Sequence, residues 1–349
     1  MKKKTTTGIF AATPSASELR KDIVSGDWVL IATGRARRPQ DFIKERQKSS
    51  HPVSSCPFED PQKSNGELAL VWYPAPDSES KNTMEDWFVQ AVPNKYPALI
   101  PHKGQVCPTE ENMGIHVRRV GMGYHEVIIT RKHDTSLGQM NAEEVELVVR
   151  AYRERYAALK KDNCIEYILI FHNHGVEAGA SISHPHSQLI AFPIVPPDVQ
   201  RSFEGSAAFY KKHHACIHCY MLEEERKDKK RVIYENEDFI AIAPYASRVS
   251  FELRIYPKAH EPRFELISER NMQKFAEALR EVLGKLHKAL KDPAYNFFIH
   301  TTPVSAPRAE HYHWHLEILP KTATWAGLEL GTGVDVVVAL PEDVPEILS

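Results

Sequence analysis

The hydrophobic residues of the chain follow two different periods. Short runs of β-branched and aromatic residues have the length of strands, whereas two longer stretches carry apolar residues at helical spacing. In residues 142–159, Val145, Val148 and Tyr152 recur three or four positions apart, and residues 269–290 repeat this pattern. The pattern predicts two long amphipathic helices, each accompanied by short strands.

The order of these predicted elements occurs twice along the chain. The first copy has strand-like runs at 87–92, 124–130, 167–172 and 184–193 with its helix at 142–159, and the second has runs at 239–243, 250–256, 295–300 and 311–320 with its helix at 269–290. This repeat predicts an α+β fold of two tandem halves, each an antiparallel sheet that carries one long helix.

We place the boundary between the two predicted domains after residue 197. Pro196, Pro197 and the polar residues up to 212 interrupt the periodicity there. The N-terminal half is then residues 1–197 and the C-terminal half residues 198–349. Residues 18–31 and 52–76 precede the first copy of the repeat and are predicted to add a strand and a loop.

The composition indicates a globular protein and excludes some classes of partner. Of 349 residues, 42% are hydrophobic and 26% are charged, with a formal net charge of -2. A nearly neutral chain gives no global attraction to nucleic acid or to an anionic membrane, so any phosphate recognition must be local. The apolar patch within residues 1–12 is too short for a secretory signal or a membrane span. We expect a cytoplasmic protein without a nucleic-acid or membrane partner.

The chain has five cysteines, an odd number, and is long enough to fold without disulfides. This favours a reducing compartment. Cys107 and Cys164 have no partner at a metal-binding spacing and are interpreted as structural residues. The 18 histidines are more unusual, because several of them lie in tight clusters that are typical of metal or acid–base chemistry.

Residues 179–188, GASISHPHSQ, form the most informative of these clusters. Alternate residues of a strand share a face, so His184, His186 and Gln188 are predicted to point the same way. The small residues that precede them would let a phosphate approach the backbone closely. Imidazole attacks phosphorus well at neutral pH and leaves well afterwards, so it can divide nucleotidyl transfer into two displacements.

The second histidine triplet, at residues 311, 313 and 315, is a weaker candidate for this chemistry. Its histidines alternate with bulky aromatic residues, and no run of small residues precedes them. Nearby cysteines also require imidazole ligands, and a histidine bound to zinc cannot attack phosphorus. We therefore predict that His186, and not His313, is the nucleophile.

Two groups of residues are candidate metal ligands. Cys216 and Cys219 form a Cys-x-x-Cys pair, for which a zinc half-site is favoured over a redox pair because no thioredoxin-like context surrounds it. The repeat supplies His260 and either His311 or His313 to complete a tetrahedral site. The corresponding positions in the first half are Cys56, Glu59, His133 and His184. These residues could bind a metal more weakly, or this half could have lost its metal.

Residues 179–188 are similar to the active-site signature of the galactose-1-phosphate uridylyltransferase family, which belongs to the histidine-triad superfamily. Weaker segments extend the resemblance over nearly the whole chain, namely residues 35–39 (RARRP), 94–97 (NKYP), 121–126 (GMGYHE), 312–314 (YHW) and 327–333 (GLELGTG). The resemblance is close to the ADP-glucose phosphorylase-like members.

The resemblance implies roles for particular residues. His186 would become nucleotidylated, Gln188 would hydrogen-bond the phosphoryl oxygens, and Glu329 would contact the hexose. Further residues implied near the phosphates or the nucleotide are Ser181, Ser183, Arg35, Arg37, Arg38 and Asn94, although the arginines could instead form a solvated basic turn. Relatives with the Cys-x-x-Cys pair ligate zinc through the histidine that precedes Trp, here His313. Relatives with a metal in the first half have cysteine in place of Glu59.

The function implied is a ping-pong UDP-glucose:hexose-1-phosphate uridylyltransferase whose partners are a nucleotide sugar and a sugar phosphate. Relatives are commonly homodimers. One alternative is an ADP-glucose phosphorylase or adenylyltransferase, because some members of this family prefer adenine. Another is a catalytically dead nucleotide-binding protein, against which the intact residues 184–188 argue, since binding alone requires no nucleophile.

Overall fold

The structure is a computed structural model that describes residues 17–35, 52–78, 83–101, 104, 106–306 and 309–349. Its strands are β1 (Glu18–Lys21), β2 (Trp28–Ile31), β3 (Val71–Pro74), β4 (Trp87–Pro93), β5 (Glu111–Met113), β6 (His116–Arg118), β7 (Tyr124–Thr130), β8 (Tyr167–His174), β9 (His186–Phe192), β10 (Val232–Glu235), β11 (Phe239–Ile242), β12 (Leu253–Pro257), β13 (Tyr295–His300), β14 (His315–Pro320) and β15 (Asp335–Val337). Its helices are α1 (Pro61–Asn65), α2 (Ala142–Leu159), α3 (Pro197–His213), α4 (Ile217–Asp228), α5 (Glu269–Leu290), α6 (Gly327–Thr332) and α7 (Val344–Ile347).

Among the described residues, ten strands form one antiparallel sheet that spans both halves of the chain. Its order is β10-β11-β12-β14-β13-β8-β9-β7-β4-β3. The strands of the two halves meet where β8 pairs with β13, with Phe171 opposite Phe298. The predicted fold class, α+β with antiparallel strands and a long helix in each half, is confirmed. The two half-sheets are joined edge to edge, because pairing β8 with β13 satisfies backbone groups that two separate sheets would leave exposed.

The two long helices have the bounds that the sequence pattern predicts, and they pack together on one face of the sheet. Asn141 and Glu144 form a capping box at the start of α2, and the Ser268 side chain caps α5. Buried residues of both helices share one hydrophobic core with the strands of both halves, including Trp314. This core fixes the sheet, so that its opposite face can carry polar chemistry.

Alternation along the central strands separates the two faces of the sheet. In β7, Ile128 belongs to the core under the helices, whereas Val127 and Ile129 pack with Trp87 and Val92 on the other face. In β9, Leu189 likewise lies in the core. His186 and Gln188, which alternate with it, therefore lie on the face opposite the helices.

The segment predicted as a polar connection between the halves is helical. Helix α3 begins at Pro197, because proline is well suited to the first turn of a helix, and α4 follows it. Only Val199 and Ser206 of α3 are buried, so its apolar stripe was too narrow for the pattern to indicate a helix. The added N-terminal strand is a hairpin, β1 and β2, which forms a separate three-stranded sheet with β15.

Cys107 and Cys164, interpreted from the sequence as structural residues, form a disulfide with each other, so the expectation that the chain folds without disulfides is wrong. They are separated by 57 residues, and the fold brings the segment before β5 next to the end of α2. Sequence spacing does not reveal such a pairing, because the pairing depends on tertiary contact.

In the described part of the chain, no helix is both long enough and apolar enough to cross a membrane.

Replacing Gly138 with alanine should destabilise the protein. Gly138 lies in the turn before α2, and a Cβ atom there would lie 2.8 Å from the Leu283 carbonyl carbon and 2.9 Å from the Gly284 nitrogen of α5. Because backbone atoms cannot move aside cheaply, we expect Gly138→Ala to lower the free energy of unfolding by about 1–3 kcal/mol. The control is Gly331→Ala in α6, where a Cβ would meet nothing within 4 Å. Equal midpoints of urea denaturation for the two variants would contradict this packing.

Candidate active site

His186 is the first residue of β9, and its surroundings leave one ring nitrogen open. Its Nδ1–H donates to the backbone oxygen of His184 at 2.9 Å, so Nε2 carries the free lone pair. Burial lowers the pKa of His186, and the hydrogen bond to the His184 backbone opposes this lowering only in part. The imidazole is therefore neutral near pH 7, the form in which nitrogen is nucleophilic.

His186 borders a cavity of about 430 Å³ on the face of the sheet opposite the long helices. Its ring lies 4.9 Å from that of Phe58, centroid to centroid. Of the described lining residues, Lys95 alone is a lysine or arginine. The lining residues are Pro57, Phe58, Pro61, Ser64, Asn65, Val92, Pro93, Asn94, Lys95, Tyr96, Val127, Ile129, Ser181, Ile182, His186 and Gln188. A mainly apolar wall with a few polar groups beside a nucleophile suits a planar base attached to a phosphate.

Gln188 is held by a residue that the sequence analysis did not single out. Oε1 of Gln188 lies 2.8 Å from Nε2 of His125, and Nδ2 of Asn94 lies 3.1 Å from the same nitrogen. His125 belongs to the segment 121–126 that carries part of the family resemblance. Its role could not be assigned from sequence, because the contact to Gln188 joins two strands.

The structure brings some of the predicted substrate residues to this cavity. Asn94 and Ser181 line it together with His186 and Gln188, whereas Ser183 is not among the lining residues. Glu329 lies on α6, where it accepts a hydrogen bond from the Ala326 backbone, and it does not line the cavity.

The three predicted arginines fall at or beyond the edge of the described residues. The backbone of Arg35 ends a 3-10 turn, Thr33–Arg35, and its side chain is outside the described part of the structure. Arg37 and Arg38 lie outside the described residues altogether. Phe58, Lys95 and Tyr96 are lining residues for which the sequence pattern gave no specific role.

Four predicted ligands of the second half converge at the start of α4. The ligand atoms of Cys216, Cys219, His260 and His313 lie within 4.8 Å of one another, and we call these residues the second-half group. The Nε2–H of His313 donates a hydrogen bond to the backbone oxygen of Pro257 at 3.0 Å, which leaves Nδ1 facing the thiols. His311 is not part of the group.

One of the two thiols of the second-half group loses its proton readily, as a metal ligand must. Hydrogen bonding from Cys219 holds the pKa of Cys216 well below its usual value. Two sulfur and two imidazole ligands with no open position match the closed tetrahedral set that zinc prefers in structural sites.

The corresponding residues of the first half also converge. Cys56, Glu59, His133 and His184 place their ligand atoms within 4.8 Å of one another, and we call them the first-half group. The Nε2–H of His184 donates a hydrogen bond to the backbone oxygen of Thr130 at 2.6 Å, so Nδ1 is the ring nitrogen that points to the group, as in His313. Burial raises the pKa of Cys56, so forming the thiolate that a metal ligates costs more here than at an exposed cysteine.

The second histidine triplet repeats the backbone contact of His186 in different surroundings. His315 Nδ1 lies 3.2 Å from the His313 oxygen, but Glu317 stands where the first half has Gln188. Arg254 binds Glu317 at 3.0 Å, and the space beside them is about 70 Å³. That space is too small for a nucleotide, so the geometry supports His186 over the second triplet.

Comparisons with known proteins agree with this geometry. Residues 10–196 match the family model "Galactose-1-phosphate uridyl transferase, N-terminal domain", and residues 225–323 match the HIT domain. An ADP-glucose phosphorylase of Arabidopsis thaliana is 33% identical over 335 residues, 95% of this chain and 92% of the relative. A galactose-1-phosphate uridylyltransferase of Thermotoga maritima is 28% identical over 335 residues, 93% and 96% of the two chains. A crystal structure of an Arabidopsis ADP-glucose phosphorylase with bound ADP-glucose superposes with a TM-score of 0.77 at 30% identity, covering 95% of this chain and 98% of that one.

Proposed function

We propose, from the premise that this chain belongs to the galactose-1-phosphate uridylyltransferase family and is a nucleotidyltransferase, that His186 carries the nucleotidyl group during the reaction. One observation supports this assignment. The Nδ1–H of His186 donates a hydrogen bond to the His184 backbone oxygen, so the unprotonated Nε2 of the neutral ring lies at the wall of the cavity. Phosphorus can be attacked by that nitrogen without prior removal of a proton.

The proposed reaction has two displacements. In the first, His186 Nε2 attacks the α-phosphorus of a nucleoside diphosphate hexose, a nitrogen–phosphorus bond forms, and hexose 1-phosphate leaves with the bonding electron pair. In the second, a phosphate oxygen of the acceptor attacks the same phosphorus, and His186 regains its lone pair. Gln188, Asn94 and Ser181 line the cavity and are proposed to hydrogen-bond phosphoryl oxygens. Ser183, Arg35, Arg37 and Arg38 remain proposed contacts by family resemblance.

We propose UDP-glucose as donor and a hexose 1-phosphate as acceptor, in accord with the uridylyltransferases in the family. A second candidate is ADP-glucose with inorganic phosphate as acceptor, which is favoured by the higher identity to the ADP-glucose phosphorylase, 33% against 28%. The apolar cavity walls contact a base through its ring faces, which purines and pyrimidines share.

A panel of two donors and two acceptors separates these candidates. We expect UDP-glucose and galactose 1-phosphate to yield UDP-galactose and glucose 1-phosphate, with a kcat/KM at least about tenfold above that for ADP-glucose with phosphate. The reverse ranking would establish the second candidate. Absence of turnover with every pair, while the nucleotides still bind, would support the third possibility, a dead binding protein.

We propose that the second-half group binds zinc and that the first-half group can bind it too. Zinc bound by two cysteines and two histidines would crosslink the start of α4 to the loop after β12, which carries His260, and to the loop before β14, which carries His313, and it would take no part in the reaction. The first-half group offers one thiolate, one carboxylate and two imidazoles. It is the weaker site because a hard carboxylate oxygen replaces a sulfur ligand.

We also propose that the protein is a homodimer, as the family resemblance implies. If Glu329 contacts the hexose, it reaches the cavity from a second copy, because it does not line the cavity of its own chain. Trp325 and Leu330, on either side of Glu329 in the sequence, are 58% and 72% exposed, and such exposed apolar side chains are typical of a surface that a partner covers.

We propose a cytoplasmic location, because metal-binding thiols require a reducing environment. The Cys107–Cys164 disulfide is the observation that weighs against this location.

A further inference from the structure

His125 contacts Gln188, the residue two positions after His186 on the same strand. It is the second residue of β7, and its backbone position is diagonal to Gln188 on β9, since His125 pairs with Ile190. Side chains at such diagonal positions come within hydrogen-bonding reach when they are long. Nε2 of His125 lies 2.8 Å from Oε1 of Gln188.

The other ring nitrogen fixes the tautomer of His125. The backbone N–H of Ala98 donates to Nδ1 at 3.1 Å, so Nδ1 must be the unprotonated nitrogen. Burial lowers the pKa of His125, which keeps the ring neutral. A neutral ring with an unprotonated Nδ1 carries its single proton on Nε2, and that proton is donated to Gln188.

The donated proton in turn orients the amide of Gln188. An amide has an oxygen end that accepts and a nitrogen end that donates, and these ends exchange when the side chain turns over. Because His125 engages Oε1, the amino group of Gln188 is the end left for a ligand in the cavity. A phosphoryl oxygen is a pure acceptor, so only this orientation gives it a hydrogen bond.

Asn94 completes the arrangement. Its Oδ1 accepts from the backbone N–H of Tyr96 at 2.9 Å, which fixes its amide with Nδ2 toward the His125 edge at 3.1 Å. Since Nε2 of His125 already bears a proton, Asn94 cannot donate to it. The amide hydrogens of Asn94 therefore also remain available to a ligand in the cavity.

We propose that His125 is a positioning residue that locks the Gln188 amide with its amino group toward the phosphoryl oxygens of the nucleotide. This inference rests on the proposed nucleotidyl transfer through His186. Without the Nε2 donor, the Gln188 amide turns over freely, and its oxygen faces the negative phosphoryl group in part of the molecules. The transition state, in which that group is most negative, loses more than the bound substrate does.

Two conservative substitutions distinguish this role from simple support of the fold. His125→Asn retains an oxygen near the place of Nδ1, which can still accept from Ala98, but it has no donor that reaches Gln188. His125→Gln places an amino group near the place of Nε2 and can still donate. We expect His125→Asn to lower the first-turnover rate of nucleotidylation by about tenfold or more and His125→Gln to restore most of it, with KM nearly unchanged for both. Thermal melts of the two variants provide the stability control.

A double-mutant cycle with Gln188→Ala tests whether His125 acts through Gln188. If it does, His125→Asn has no further effect on the labelling rate once Gln188 is absent, so the two losses do not multiply. Multiplying losses, or equal rates for the His125→Asn and His125→Gln variants, would overturn this inference while leaving the proposed function standing. If the wild-type protein formed no labelled His186 at all, the proposed function would fall and this inference with it.

Discussion

Replacing His186 with glycine is expected to reduce nucleotidyl transfer to the acceptor by on the order of 10⁴-fold or more, because the substitution removes the nitrogen that is proposed to form the covalent intermediate. Nucleotide binding should change little, since the cavity walls and Gln188 remain in place. Added imidazole should occupy the vacated space and restore release of hexose 1-phosphate from the donor. Initial rates, a binding isotherm for UDP-glucose and rates at increasing imidazole concentrations measure the three effects.

The matched control for this variant is His315→Gln in the second half. His315 makes the same backbone contact as His186, but it faces only a small, charged space. The His315→Gln variant should be somewhat less stable than the wild-type protein and should keep its transfer activity per folded molecule. Substantial activity in His186→Gly without imidazole would show that catalysis uses another nucleophile.

Replacing Cys219 with serine is expected to have the largest effect on stability. Sγ of Cys219 lies 3.3 Å from His260 Nδ1 and 3.4 Å from His313 Nδ1, so the substitution removes a ligand at the centre of the second-half group. Loss of zinc there should lower the free energy of unfolding by on the order of 4 kcal/mol, because the metal is bound only by the folded chain. Metal analysis should find one zinc fewer per chain, and the melting temperature should fall by several degrees.

The control for Cys219→Ser is His311→Asn, two residues from a ligand and outside the second-half group. This variant should retain its zinc. Those molecules of the Cys219→Ser variant that fold should still catalyse nucleotidyl transfer, so the activity of this variant should be proportional to its folded fraction. A metal-free wild-type protein, or a Cys219→Ser variant with an unchanged melting temperature, would contradict the proposed zinc site.

Much of this fold could be predicted from local patterns. The stripes of α2 and α5 are long and regular enough to define both helices, and alternation predicts that His186 and Gln188 share a face of β9. The convergence of Cys216 and Cys219 with two histidines could be predicted because Cys-x-x-Cys is a local signal. A repeated order of elements was sufficient to predict two halves without any knowledge of how they meet.

What could not be predicted depends on contacts between distant segments. The pairing of β8 with β13, which joins the halves, and the Cys107–Cys164 disulfide leave no local pattern. Helix α3 was missed because so few of its residues are buried. His125 lies in a recognised segment, yet its contact to Gln188 exists only because β7 pairs with β9. Hydrogen bonds across a sheet are invisible in a single sequence until the register is known.

The covalent intermediate itself is the most direct test of the role of His186. The protein would be mixed with donor labelled at the α-phosphorus, quenched in base, reduced to break the Cys107–Cys164 disulfide and digested with trypsin, which releases residues 162–201 and 309–321 as separate peptides. The account predicts one acid-labile, base-stable label in the first peptide, at His186, and none in the His186→Gly variant. A label in residues 309–321, or rapid turnover with no labelled peptide, would contradict it.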